Sequence, residues 1–298
     1  MKKNALLWVG IGMFLVLVAA MIASPFIIGE GEVEPERVRF YDDGSMARAP
    51  FPPFKEDVLG TDHEGRGILA LLVVGTKDTL LIIFSITLLR YVISIPLALL
   101  GSEKKGASHW IITMLHSFFS AIPTLIAAIL FINLPFLIFS QTRNIWAVLI
   151  LAFIEVDRTS HLFQQQAHDI SQKEFIRVAI VQGNSPIGLI FRHYIPYMLP
   201  NIISNFFMDL GRVTVLIGQL GLFSIFVTQK FVELGHGFGE LQNTSLNWAT
   251  LLGETRYALM SAPWVPIFPA LALFYTMLTF NIIGEGLRRT FSKKAEYL

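Results

Sequence analysis

An all-α membrane protein with six transmembrane helices is the fold class that three features of the sequence predict. Apolar residues make up 53% of the 298 positions and charged residues only 15%, against about 25% charged in an ordinary soluble domain. The apolar residues gather into runs approaching the length a bilayer demands, about 20 residues each. The basic residues collect in alternate loops between those runs.

Each span can be justified in order. Residues 5–28 form the first; Lys2 and Lys3 ahead of it give the flank of a secretory signal. The apolar stretch, however, runs to ~24 residues against about 7–15 in a signal peptide, which predicts a retained span. The second to sixth spans are expected at 79–101, 109–132, 144–156, 196–227 and 263–284, the fourth being the shortest. One set of loops carries Lys104, Lys105, Arg158, Lys173, Arg177, Arg192 and Arg288, in addition to Lys2 and Lys3. In residues 29–78, by contrast, acids such as Glu30, Glu36, Asp57 and Asp62 outnumber the bases. The excess of Lys and Arg on one side places both termini and residues 157–195 in the cytoplasm, and residues 29–78 and 229–260 outside.

Residues 29–78 are long for a loop. Within them, 49–54 (APFPPF) reads as extended chain, 65–74 as a short helix lying on the membrane, and the acid-rich 30–36 as solvated.

Residues 171–196 interrupt the apolar pattern most strongly. Ser171 and Glu174 have the spacing of a capping box that starts a helix. Phe175, Val178 and Ala179 would form its apolar face, with Lys173, Arg177 and Gln182 toward water. Gly183 suits the left-handed residue that ends a helix. Ser185 followed by Pro186 reads as a second N-cap with proline in the first helical position. The result is a helix, a glycine turn and a second helix that returns to the membrane through Arg192, His193 and Pro196. Such a segment fits either an interfacial helix or a docking element for a soluble partner.

Ionisable residues inside spans form the other candidate site. Arg90 falls near the middle of the second span, and Asp209 and Arg212 within the fifth. Charges at that depth cost several kcal/mol unless paired or solvated. Asp209 and Arg212, three residues apart on a helix, share a face and can neutralise each other. They form either a structural pair or part of a translocation cavity, with Arg90 as the other possible partner of Asp209.

Several chemistries lack their residues. The net charge of +1 gives no sign of nucleic-acid binding, and without cysteine there is no disulfide framework, thiolate metal site or thiol nucleophile. The nearest approach to a phosphate-binding loop, 101–108, has Ala107 where the motif needs lysine. His63-Glu64 lacks the second histidine of a zinc protease motif, and His161 and His168 are assigned no metal role. No catalytic residue and no cofactor is expected.

The polar segment EFIRVAIVQGNSPIGLIFRHYIP resembles the EAA loop of ABC importer permeases, with Glu174, Ala179, Gly183, His193 and Pro196 the most direct matches. LGTDHEGRGIL from Leu59, NWATLLGETR from Asn247 and FPALALFYTMLTFNIIGEGLRR from Phe268 resemble, in order, signatures of the oligopeptide, dipeptide and nickel permease family. The sequence departs from that pattern at Gly67, where the family has Asp, and at Ile217, where it has an acid.

The resemblance implies a type I ABC importer permease fold: an N-terminal helix at 1–28, an extracytoplasmic segment at 29–78 and a permease domain at 79–298 with a cytoplasmic coupling loop at 157–195. It also implies a multi-pass protein of the bacterial inner membrane that is not an enzyme. Its partners would be the lipid bilayer, a second permease subunit, two cytosolic ATP-binding subunits docked on residues 171–196, and an extracytoplasmic solute-binding protein. The cargo so implied is a di- or oligopeptide, or alternatively nickel or a metal chelate. Two other classes stand beside it: a secondary transporter, which would carry inverted repeats, and a sensory or scaffold subunit that no longer transports.

Overall fold

The computed structural model describes residues 4–28, 33–42, 44–55, 57–235, 238–253 and 255–296. Most of them are helical. The first helix, α1 (Ala5–Ile27), is followed by a small hairpin of β1 (Val38–Phe40) and β2 (Met46–Arg48), and then by α2 (Ile68–Leu100). Next come α3 (Gly106–Phe119), α4 (Thr124–Ile132), the short α5 (Pro135–Ile138), α6 (Arg143–Phe153) and the polar α7 (Val156–Ser171). The chain continues through α8 (Glu174–Val181), α9 (Pro186–Leu189), a π-turn at Ile190–Tyr194 and α10 (Ile195–Leu222). A second hairpin, β3 (Gln229–Gly235) with β4 (Phe238–Asn243), precedes α11 (Thr255–Ser261) and the long α12 (Trp264–Glu296).

Among the described residues three helices, within α1, α2 and α12, are long and apolar enough to cross a membrane, and the bent pair of α3 and α4 makes a fourth candidate. The expected third span, 109–132, is therefore broken: α3 and α4 meet at 95°. Pro123 stands at the bend with extended backbone, which is where proline forces a helix to stop. The expected fourth span is an 11-residue helix, α6, that leads into polar α7. The fifth is α10, 28 residues long, with Asp209 and Arg212 within it.

Two other expectations need correction. The fold is not purely α, because both hairpins are antiparallel β-structure. They lie outside the apolar runs, where cross-strand pairing satisfies backbone groups that no helix satisfies. Residues 65–74 are also not a separate surface helix: α2 begins at Ile68 and runs unbroken to Leu100. Its first turns are clamped from the side. Trp248 Nε1 donates to the Leu72 carbonyl at 2.8 Å, the Trp248 amide to Thr79 Oγ1 at 3.0 Å, and Ser245 Oγ to Asp78 at 2.6 Å. Of the acid-rich stretch, Glu36 is engaged rather than merely solvated, accepting from Arg39 at 2.7 Å.

The principal core forms where α2, α4, α6, α10 and α12 converge, around Ile83, Ala128, Leu151, Leu210 and Phe280, each fully buried. A second core lies toward the polar loop: Tyr91, Phe163, Ala167, Ile176, Ala179 and Met198 join α2, α7, α8 and α10. The exposed Trp8, Val9 and Leu15 of α1, like Leu88 and Val92 of α2, present the apolar exterior that lipid requires. Ile217, where the resembled family has an acid, is buried in the principal core.

Candidate functional site

The polar loop is built by local rules. Helix α8 ends in a Schellman motif: Gly183 adopts φ 81°, its amide donates to Ile180 O at 2.9 Å, and the Asn184 amide donates to Ala179 O at 3.2 Å. Only glycine enters that left-handed conformation without a Cβ penalty. The Asn184 side chain donates to the same Ala179 carbonyl at 2.9 Å. Ser185 caps the next helix, its Oγ accepting from the Gly188 amide at 3.1 Å, with Pro186 in the first turn.

The start of α8 differs from expectation. Ser171 belongs to α7 and its hydroxyl donates back to His168 O at 2.6 Å, so no capping box forms and Lys173 precedes the helix without a side-chain cap. Because α7 runs through Ser171, the hydroxyl finds a carbonyl of its own helix before it can reach Glu174. The buried face also differs: Ile176 and Ala179 point into the second core, whereas Phe175 and Val178 are exposed.

Beyond Ser185 the chain is one continuous helical rod into α10, passing through the π-turn. Pro196 has no amide to give Arg192, and the wider π-turn just before it places the Ile195 amide on Ile190 O. Glu174, Gly183 and Pro196 are exposed and Ala179 is buried. The half-buried His193 ring lies 6.2 Å from Phe175, which lies 6.1 Å from Tyr197. Large apolar side chains stand exposed on the loop, Val181 at 87%, Ile187 at 69% and Phe191 at 66%, together with the exposed Glu174, Arg177 and Arg192.

The rod leads to a lattice of charges. Asp209, almost fully buried, accepts from Arg212 Nη1 and Arg158 Nη2, each at 2.9 Å on Oδ1, and from the Tyr91 hydroxyl at 3.0 Å on Oδ2. Arg158 also reaches Glu155 at 3.3 Å, and Glu155 is held by the fully buried Arg90 at 2.6 Å. Arg90 donates further to Leu151 O at 3.2 Å. Asp209 and Arg212 thus meet, as their spacing allows, while Arg90 pairs with Glu155 rather than with Asp209.

By sequence alone Arg158 falls in a loop, and neither Glu155 nor Tyr91 stands out. The available signal was the position of Glu155 and Arg158 at the end of the shortest apolar run, where α6 gives way to α7. Two open grooves flank the lattice and share Thr124 and Glu155. One, of about 250 Å³, is lined by Arg212, Gln219 and Asn281. The other, of about 390 Å³, is lined by Arg158, Asp157 and His116.

Near the lattice, α3 and α7 pack through a histidine seam. The His116 and His161 rings stack with centroids 4.5 Å apart and planes 2° from parallel, and His116 Nδ1 lies 3.3 Å from Asp157. Burial, with the His116 charge beside it, holds the His161 imidazole below the usual histidine range.

Over 237 residues the chain is 29% identical to a glutathione transport system permease protein of Pectobacterium atrosepticum, covering 79% of this chain and 72% of the relative. Over 294 residues it is 24% identical to a dipeptide transport system permease protein of Alkalihalophilus pseudofirmus, covering 99% and 88%. With an oligopeptide transport system permease protein of Escherichia coli K12 the identity is 26% over 261 residues, covering 85% and 78%. Residues 90–297 match the family described as binding-protein-dependent transport system inner membrane component, a span that opens on Arg90 and takes in both the lattice and the Gly183 elbow. The chain therefore belongs to the family of inner membrane components of binding-protein-dependent transport systems.

Proposed function

We propose that this chain is the permease subunit of an ATP-driven importer of short peptides, and that the α8–α9 elbow is where a cytosolic ATP-binding subunit docks. The observation that carries this reading is the elbow itself. It presents Val181, Ile187 and Phe191 to solvent beyond the apolar runs, and it continues as one rod into α10 and the charge lattice. Large apolar side chains left exposed on a polar loop fit a protein interface, and a rod anchored in the second core carries displacement rather than absorbing it. The names of the three relatives, which include dipeptide and oligopeptide permeases, support peptide as cargo.

The rest of the reading follows from the family. The chain crosses the membrane six times with both termini in the cytoplasm, and the α6 region supplies the fourth crossing. Residues 29–78, which include the first turns of α2, and residues 229–260 lie outside, where a solute-binding protein docks. Residues 157–195 face the cytosol. A second permease completes the pathway, two ATP-binding subunits hydrolyse ATP, and this chain catalyses no reaction and holds no cofactor.

The test is purification of the tagged chain from its host, followed by reconstitution into liposomes. Two ATP-binding proteins should co-purify, and labelled dialanine should accumulate only with ATP. Recovery of the chain without any ATP-binding protein rejects the reading. Orientation is tested on the cysteine-free background: Ser45→Cys should react with an impermeant thiol reagent in intact cells, and Ser171→Cys should not.

A further inference from the structure

The lattice is not electrically balanced. Arg90, Arg158 and Arg212 bring three guanidiniums, while Glu155 and Asp209 bring two carboxylates. Each carboxylate is shared by two arginines, so neither is free to receive a cation. The other acid nearby, Asp157, faces the neighbouring groove and is paired there with His116. Arg212 is the most exposed of the three arginines. Its side chain is 52% exposed, makes one ion pair among the described residues, through Nη1, and lines a groove together with Gln219, Asn281, Thr124 and Glu155, the last already held by Arg90 and Arg158. That groove has a built wall: Gly211 leaves room for Asn281, whose Nδ2 would stand 3.0 Å from a Cβ at that position.

We infer that Arg212, flanked by Gln219 and Asn281, is a recognition site for a carboxylate group, and that the carboxylate is the C-terminal one of a peptide in transit. The inference rests on the reading of this chain as a peptide permease and deepens it. A guanidinium offers fork-shaped donors that match a carboxylate, and the side-chain amides that line the same groove can donate further bonds to it. The site sits on α10, the helix that the α8–α9 elbow continues into, so movement of the rod displaces Arg212 directly.

The experiment uses the whole importer, purified through a tag on this chain and reconstituted in phosphatidylcholine liposomes, with trialanine and trialanine C-terminal amide as probes. For each variant the ratio of free-acid to amide uptake is read against wild type. Arg212→Gln should lower that ratio about tenfold, the loss of one charge-assisted bond. Arg212→Lys should restore part of it. Gln219→Leu, which removes no charge from the lattice, should lower the ratio by roughly two- to threefold and keeps the test open if Arg212→Gln is recovered poorly.

An unchanged ratio, with both peptides slowed equally, assigns Arg212 a structural part and overturns the inference while leaving peptide import intact. Wild-type complex that accumulates neither probe overturns the parent reading and this one with it. The anionic headgroup of a lipid is the other source of the same chemistry. If adding phosphatidylglycerol abolishes the wild-type preference, the site is a lipid site and the peptide assignment fails.

Discussion

The charge lattice and the α8–α9 elbow break the usual partition of residues in opposite directions. In the lattice, Arg90 and Asp209 are buried; in the elbow, Val181 and Ile187 are largely exposed. A buried charge persists only where the chain itself supplies counter-charges and donors, and Asp209 receives three of them, from Arg158, Arg212 and Tyr91. Exposed apolar groups cost a folded chain little but gain nothing until something covers them. The lattice thus draws the partners of Asp209 from within the chain, whereas the elbow leaves its apolar side chains uncovered. Mutation should separate them: lattice changes act first on folding, elbow changes on assembly.

The largest effect is expected at Asp209. Asp209→Asn leaves Arg158 and Arg212 facing each other without their shared carboxylate, a loss of about 3–5 kcal/mol for breaking a buried pair. Folded, detergent-extractable protein should fall sharply. Arg212→Gln should cost only about 0–1 kcal/mol, because this partner is half-exposed and screened. The pair is thus asymmetric. Adding Arg212→Gln to Asp209→Asn should not rescue the yield, since Arg158 still lacks the nearer of its two carboxylates; full rescue would show that the Arg158–Asp209 contact contributes little.

Next in size is Gly183→Pro. Proline cannot adopt φ 81° and has no amide for Ile180 O. The chain should still reach the membrane, yet co-purification of ATP-binding subunits should fall at least fivefold, on the order of 1 kcal/mol of docking free energy. Gly183→Asn should be far milder, since Asn tolerates the left-handed region. Equal ATPase recovery from wild type and Gly183→Pro would remove the contrast between the two regions.

Val181→Ser sharpens the same contrast with no backbone change. Val181 is so exposed that stability should move by less than about 0.5 kcal/mol, while ATPase recovery should drop about two- to threefold through lost apolar contact. A drop in melting temperature without loss of recovery would place Val181 against lipid or the chain itself.

The smallest effect lies between the two regions, in the histidine seam. The folded His161 takes a proton less readily than the unfolded chain does. Its contribution to stability is therefore present above the unfolded value of about 6.5 and is lost as the pH falls below it. Detergent-solubilised protein should melt lower at about pH 5.5 than at about pH 7.5, and His161→Gln should reduce that difference. An unaltered difference would assign the pH response elsewhere.

Much of the architecture was legible in the residues themselves. Composition and apolar run length imposed a membrane protein, because a bilayer selects length and hydrophobicity directly. Gly183, Ser185 and Pro186 specified the elbow, because caps and turns are settled within a few residues. Asp209 and Arg212 meet for the same local reason, one helical turn.

Other features depended on what surrounds them. Ser171 and Glu174 carry a valid capping signal, but the length of α7, set by its packing on α2 and α3, draws Ser171 into the preceding helix. Helix α2 likewise gains its early start from the clamp of Ser245 and Trp248. The lattice was least legible of all: Tyr91 and Asp209 lie 118 positions apart. Which arginine meets which carboxylate is fixed by how α2, α7 and α10 pack. Local spacing governs contacts within a helix turn; Coulomb attraction between helices acts only on the neighbours that packing has already brought together.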